Sequence, residues 1–102
     1  MRVVALVGDL LDRSKIAAAI PDVVFGSTPD ESTGADTVII DVKAHPDMVA
    51  AVRKLVPAAR VVVYGRHDNP EALASATSAG ADVALPRSRF FHDPAAAITF
   101  PP

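Results

Sequence analysis

The chain has 102 residues, of which 50% are hydrophobic and 22% charged, and its formal net charge is −2. These values predict one globular domain over residues 1–102, and the lack of a basic surplus argues against nucleic acid as the main partner. The absence of cysteine excludes disulfides, thiolate metal sites and a cysteine nucleophile. The apolar run Val3–Val7 is too short for a signal peptide or a membrane span, so a soluble cytoplasmic protein is expected.

Short apolar runs recur along the chain, and each is continuous rather than alternating. They are rich in β-branched residues, a pattern typical of strands buried on both faces of a parallel sheet. A weaker run between Pro21 and Gly26 predicts a short edge strand. In chain order, the five predicted strands are residues 3–7, 23–25, 37–42, 60–64 and 82–85.

Two helices are predicted from apolar spacing. Leu11, Ile16 and Ile20 are placed on one face of a first helix, which the following proline ends. Residues 48–56 carry apolar side chains at helical spacing, with Pro46 suited to the first turn of this second helix.

Two further helices are predicted from their start signals. The pairs Asn69–Pro70 and Asp93–Pro94 each place a capping side chain before a proline suited to the first helical turn. The first pair opens a helix over residues 70–79, which Gly80 closes, and the second opens a short helix over residues 95–98.

The segment between the second and third strands departs from this alternation. Residues 26–36 contain only Thr28-Pro29-Asp30-Glu31 as a helical signal, enough for about one capped turn. The order of the elements otherwise predicts βαβ units with right-handed crossovers. The predicted fold is therefore α/β, a doubly wound parallel five-stranded sheet in which the helix after strand two and the last helix are shortened.

Polar loops follow the predicted strands, and in open parallel sheets the binding crevice lies outside the carboxyl ends of the strands. Asp9 and Asp41 would share this edge, and two neighbouring carboxylates raise each other's pKa unless a cation relieves them. Mg²⁺ or Arg87 would supply that charge. The plainer interpretation is that Asp9 or Asp41 caps a helix. The loops are Gly8-Asp9, Asp41-Val42-Lys43, Gly65-Arg66-His67 and Pro86-Arg87-Ser88.

Other site chemistries have less support. His45, His67 and His92 also follow strands and would suit Zn²⁺ or a redox metal, but they lack tight ligand spacing. The sequence contains no phosphate-binding glycine loop and no serine nucleophile elbow, so no independent enzyme is predicted. Phe90 and Phe91 lie in a basic–aromatic cluster, where a role as core anchors is favoured over partner contact.

Taken together, residues 3–91 resemble the receiver domain of two-component response regulators. The strongest local similarity is Ala79-Gly-Ala-Asp-Val-Ala-Leu-Pro-Arg87, which is similar to the family's A-G-A-x-x-x-L-P-K. Val38-Ile-Ile-Asp41 is similar to the strand that ends in the phospho-accepting aspartate. Residues 61–68 are similar to the strand and loop that usually carry a serine or threonine. The resemblance implies a flavodoxin-like fold.

The resemblance also implies roles for individual residues. Asp41 matches the phospho-acceptor, and Gly65 replaces the usual serine or threonine. The family holds Mg²⁺ with two acids after the first strand, where only Asp9 remains, so weak Mg²⁺ binding by Asp9 and Asp41 is expected. Arg87 replaces the family's lysine and grips carboxylates bidentately. We therefore hypothesise that Arg87 bridges Asp41, with or without Asp9, and takes over the role of the metal cation.

Three functions stay open. The first is a stand-alone pseudo-receiver that acts through protein–protein interaction, with phosphorylation of Asp41 weak or absent. Since the sequence ends at Pro102 without an output domain, its partner would be a kinase, a downstream effector or a second copy in a homodimer. The second is a working Mg²⁺-dependent phospho-accepting receiver. The third is a small-ligand or metal-binding domain on the same scaffold.

Overall fold

The computed structural model describes residues 1–43 and 47–99. Five parallel strands form one sheet in the order β2-β1-β3-β4-β5, which confirms the predicted doubly wound, flavodoxin-like sheet. Since the strand order changes direction at the β1–β3 pair, the crevice of the sheet opens at the carboxyl ends of these two strands. The strands are β1 (Val3–Leu6), β2 (Val24–Phe25), β3 (Thr37–Asp41), β4 (Arg60–Gly65) and β5 (Val83–Pro86).

Helices cover both faces of the sheet, which is why the strands read as continuous apolar runs. In β1, Val4 and Leu6 face the helices over residues 48–55 and 70–78. Val3 and Ala5 face the helices over residues 10–19, 87–92 and 94–99 on the other side of the sheet. All four of these side chains are fully or almost fully buried. The helices are α1 (Leu10–Ala19), a 3-10 helix (Pro29–Ser32), α2 (Met48–Leu55), α3 (Pro70–Ser78), α4 (Arg87–His92) and α5 (Pro94–Thr99).

The predicted start and stop signals of the later helices are confirmed. Asn69 accepts a hydrogen bond from the backbone N–H of Ala72 at 3.3 Å, and Pro70 is the first residue of α3. Gly80 follows this helix with φ of 121°, a left-handed conformation that favours glycine. Asp93 caps α5 in the same way. Pro46, predicted in the first turn of the second helix, lies outside the described residues.

The crossover after β2 is as short as predicted. Residues Pro29–Ser32 form a single 3-10 turn, which Thr28 and Glu31 close with a reciprocal capping box. The turn packs beside α2, so the face that a full crossover helix would cover is shared between these two elements. None of the helices in the described part of the chain is long and apolar enough to cross a membrane.

One helix was not predicted. Helix α4 begins directly after β5 with Pro86 before it and no side-chain cap, so the usual start signal is missing. Phe90 is fully buried and its ring stacks on that of Tyr64 with centroids 4.8 Å apart, while Phe91 is half-buried. The predicted core role of these two phenylalanines is confirmed, and packing of the aromatic rings explains why so short a helix forms here.

Candidate functional site

Six charged side chains surround a cavity of about 350 Å³ at the carboxyl edge of the sheet. Three are acidic and three are basic, so their formal charges cancel. Five of the six belong to loops that the sequence analysis placed at this edge, and the sixth, Asp12, was missed. The lining residues are Asp9, Asp12, Asp41, Lys43, Arg66 and Arg87.

An ionic contact between two lining residues of the cavity joins Asp12 in the first turn of α1 to Arg87 at the start of α4. Nη1 of Arg87 donates to Oδ2 of Asp12 and Nη2 donates to Oδ1, both at 2.8 Å, so the contact is bidentate. The Asp12 side chain is 3% exposed and that of Arg87 is 38% exposed. This Asp12–Arg87 pair ties together two helices that are 75 residues apart in the chain.

Aromatic side chains complete the environment of the pair. The hydroxyl of Tyr64, a buried residue of β4, donates to Oδ2 of Asp12 at 2.9 Å. The guanidinium carbon of Arg87 lies 5.5 Å from the Tyr64 ring centroid and 5.1 Å from that of Phe91. At these distances the ring faces attract the cation. The guanidinium is therefore held by a carboxylate and two rings at once.

The protonation states of this group follow from its contacts. The hydrogen bonds from Arg87 hold the pKa of Asp12 below its ordinary value, although burial alone would raise it. Burial, helped by the hydrogen bond to Asp12, raises the pKa of Tyr64. The bond to Asp12 likewise raises the pKa of Arg87. At neutral pH the group consists of an ionised Asp12, a neutral Tyr64 and a charged Arg87.

The predicted bridge from Arg87 to Asp41 or Asp9 is wrong, because the described hydrogen bonds of the guanidinium go to Asp12. The face of α1 explains the error. Asp12 and Ile16 are buried one turn apart, whereas Leu11, which was predicted to face the core with Ile16, is 74% exposed. The spacing of Asp12, Ile16 and Ile20 at i, i+4 and i+8 is the signal that would have identified Asp12.

Asp9 and Asp41 lie in the cavity as predicted, but in different environments. Asp9 is exposed and caps α1, since its Oδ1 accepts from the backbone N–H of Asp12 at 3.0 Å. The helix-cap interpretation therefore holds for Asp9. Asp41 ends β3, is 6% exposed and accepts from the backbone N–H of Lys43 at 3.1 Å. Its role as a phospho-acceptor stays a prediction.

Gly65 at the end of β4 is closely surrounded by apolar side chains. A Cβ atom added there would lie 2.7 Å from Cγ1 of Val42 and 3.3 Å from Cδ2 of Leu73. A serine or threonine would require these neighbours to shift, at a cost typical of overpacking. The space next to Gly65 is thus already filled by Val42 and Leu73.

The cavity's own oxygen atoms fit a tightly held Mg²⁺ poorly. Both oxygens of Asp12 bind Arg87, and one oxygen each of Asp9 and Asp41 accepts a backbone hydrogen bond. Mg²⁺ needs near-octahedral oxygen ligands, usually with one or two carboxylates among them. Within residues 1–43 and 47–99, no three histidine, cysteine, aspartate or glutamate side chains are placed to hold a metal ion.

The positions of the described histidines do not support the predicted histidine metal site. His67 and His92 are exposed, and neither is among the residues that line the cavity. His45 lies outside the described residues. A further charged contact at the edge of the cavity joins Arg66 to Asp68 at 2.7 Å, with both side chains about half exposed.

Comparisons of the sequence and of the structure with known proteins give different results. No protein-family model and no curated protein matches this sequence. Among solved structures, a response regulator from Burkholderia pseudomallei, with a phosphorylated aspartic acid, a calcium ion and citrate, has a TM-score of 0.80 at 14% identity. The match covers 96% of this chain and 66% of that one, so this chain spans just under two thirds of its length.

Two further structures give the same result at similar coverage. A response regulator receiver domain protein from Clostridium thermocellum has a TM-score of 0.78 at 18% identity, over 95% of this chain and 90% of that one. A response regulator from Thermotoga maritima has a TM-score of 0.71 at 15% identity, over 84% and 83% of the two chains. This chain therefore has the fold of response-regulator receiver domains.

Proposed function

We propose that this chain is a receiver-like signalling module that works through protein–protein interaction, with phosphorylation of Asp41 weak or absent. The observation that carries the proposal is the bidentate contact of Arg87 with Asp12. The resemblance to receivers assigns Arg87 to the position of the lysine that pairs with the phosphoryl group. In this chain the cation at that position already has a buried carboxylate as its partner.

The energetic consequence follows from burial. If the guanidinium moved to a phosphoryl group on Asp41, Asp12 would lose both hydrogen bonds from Arg87. The hydroxyl of Tyr64 would then be the described donor that remains on its side chain. Separating this pair costs about 2 kcal/mol, below the full cost for a buried ion pair because the Arg87 side chain is 38% exposed. That cost opposes the rearrangement by which phosphorylation would be sensed.

Gly65 supports the proposal independently. The position that carries the hydroxyl in receivers lacks a side chain here, and Val42 and Leu73 occupy the space beside it. A phosphoryl group on Asp41 would find no hydroxyl at that position to draw towards itself. Coupling between Asp41 and the loop after β4 is accordingly reduced.

The test is intact-mass analysis after incubation with Mg²⁺ and acetyl phosphate. The wild type is expected to stay unmodified or nearly so. Arg87→Lys, which keeps the charge but loses the planar two-pronged donor, is expected to gain an acid-stable, base-labile adduct. The double variant Arg87→Lys/Asp41→Asn is the matched control and should lose that adduct. Rapid, complete modification of the wild type that Asp41→Asn abolishes would overturn the proposal.

That overturning result would establish the second candidate, a working phospho-accepting receiver. Its supporting observation is the place of Asp41 at the end of β3, lining the same cavity as Lys43 and Arg87. In this reaction a carboxylate oxygen of Asp41 attacks phosphorus, the bond from phosphorus to the acetyl oxygen breaks, and acetate leaves with the electron pair. The neighbour from Burkholderia pseudomallei, which carries a phosphorylated aspartic acid, gives this candidate a precedent on the same fold.

A further inference from the structure

We infer that the guanidinium of Arg87 acts as a built-in counter-ion that excludes divalent cations from the cavity, and that Asp12 holds it there. This exclusion depends on the geometry of the cavity and does not depend on whether Asp41 accepts a phosphoryl group.

The charge balance of the cavity is the first reason. Three carboxylates line about 350 Å³, and without a cation they would repel one another. Lys43, Arg66 and Arg87 bring the formal charge of the lining to zero. Arg66 also binds Asp68 outside the lining, so Arg87 is the cation that directly neutralises one of the three carboxylates and weakens their attraction for a divalent ion.

The contacts of Asp12 are the second reason. Both carboxylate oxygens accept from the guanidinium at 2.8 Å, and Oδ2 also accepts from Tyr64 at 2.9 Å. A metal ion would have to displace Arg87 to bind either oxygen. Because Arg87 belongs to the same chain, it competes at a high effective concentration and pays little translational entropy.

The aromatic contacts are the third reason. The guanidinium lies between 5.1 Å and 5.5 Å from two ring centroids, those of Phe91 and Tyr64. A displaced Arg87 would give up both ring contacts as well as its two hydrogen bonds. A hydrated divalent ion in its place would gain little from these buried rings, since its water shell favours oxygen ligands.

Removal of Arg87 should therefore reverse the preference of the cavity. The lining would then carry a formal charge of −1, and the Asp12 carboxylate, 3% exposed, would be left without its cation. A buried carboxylate in this position takes up a proton or binds a cation. Mg²⁺ would satisfy this carboxylate through one freed oxygen of Asp12 with water as its other ligands, since it needs only one or two carboxylates.

The experiment compares Mg²⁺ binding by calorimetry, and Tm with and without Mg²⁺, for the wild type and three variants. Arg87→Gln should bind Mg²⁺ about tenfold or more tighter than the wild type, and its Tm should rise with Mg²⁺. Arg87→Gln/Asp12→Asn should lose both gains. Arg66→Gln removes the same formal charge from the same cavity but leaves the Asp12–Arg87 pair in place, so its gain in Mg²⁺ affinity should be much smaller than that of Arg87→Gln.

Each result decides the inference. Tight Mg²⁺ binding by the wild type would overturn it directly, even if Arg87→Gln does not fold. An equal gain in Arg66→Gln would show that net charge matters and Asp12 does not. A gain that persists in the double variant would place the ion away from Asp12. These outcomes are independent of the mass-spectrometric test for phosphorylation.

Discussion

Arg53 and Arg87 bind opposite ends of the sheet, and the two ends differ in what the guanidinium contacts. Arg53, on α2, lies at the amino ends of β4 and β5. It donates at 2.7 to 3.0 Å to three backbone carbonyls and at 2.6 Å to Asp82. The carbonyls belong to Pro57, Ala59 and Gly80. Arg87 lies at the carboxyl ends and donates to the carboxylate of Asp12.

The difference separates a structural role from a functional one. Arg53 binds carbonyl oxygens of the loops that precede β4 and β5. These hydrogen bonds therefore hold the two loops in the conformation from which the strands begin. Arg53 also pairs with a carboxylate, that of Asp82, but this side chain is 42% exposed, whereas the Asp12 side chain bound by Arg87 is 3% exposed. Protonation of Asp12 breaks the buried pair, which makes that pair sensitive to pH. The same residue type stabilises one end of the sheet and controls the charge of the cavity at the other.

The largest expected effect is at the structural end. Arg53→Met should lower the free energy of unfolding by about 3 kcal/mol, since it leaves several loop carbonyls without their donor. Urea unfolding at pH 7 measures this change. Lys54→Met on the same helix, where the side chain is exposed, is the control and should change stability by less than about 0.5 kcal/mol. Equal effects would mean that the carbonyl contacts of Arg53 contribute nothing beyond surface charge.

A smaller loss is expected at the cavity. Arg87→Met should lower the free energy of unfolding by about 2 kcal/mol at pH 7, because it leaves the buried Asp12 carboxylate without a cation. This value is below the full cost of breaking a buried pair because the Arg87 side chain is 38% exposed. Arg89→Met, an exposed position on the same helix, is the control. If the two variants were equally stable, the Asp12–Arg87 pair would contribute nothing measurable to the free energy of unfolding.

The smallest effect is the pH dependence that Asp12 contributes to stability. The pKa of Asp12 is lowered in the folded chain, so its contribution to stability is present above its unfolded pKa of about 4 and lost as the pH falls through the folded value. The stability difference between the wild type and Asp12→Asn should therefore be largest near pH 7 and narrow below about pH 4. Urea unfolding from pH 7 to acid measures it, and a difference that stays constant with pH would contradict it.

Much of the cavity was predictable because it follows from strand order and local sequence. Asp9, Asp41 and Arg87 directly follow predicted strands, and parallel strands bring their carboxyl ends to one edge. Asp12 was missed because a charged residue inside a helix normally faces solvent. Leu11 reinforced the error, since it was predicted to face the core with Ile16, yet it is 74% exposed.

Short stretches of sequence were enough to predict the alternation of strands and helices, the caps at Asn69 and Asp93, and the shortened crossover after β2. These features depend on apolar periodicity and on hydrogen bonds between near neighbours, which are visible in short segments. The pairing of Arg87 with Asp12, 75 residues away, and not with Asp41, is visible only in the folded chain. This pairing depends on how α1 is rotated about its axis against the sheet, and on the positions of the Tyr64 and Phe91 rings that the guanidinium contacts. The spacing of Asp12, Ile16 and Ile20 indicates the buried face of α1, but the partner that reaches this face from 75 residues away is set by packing between distant elements.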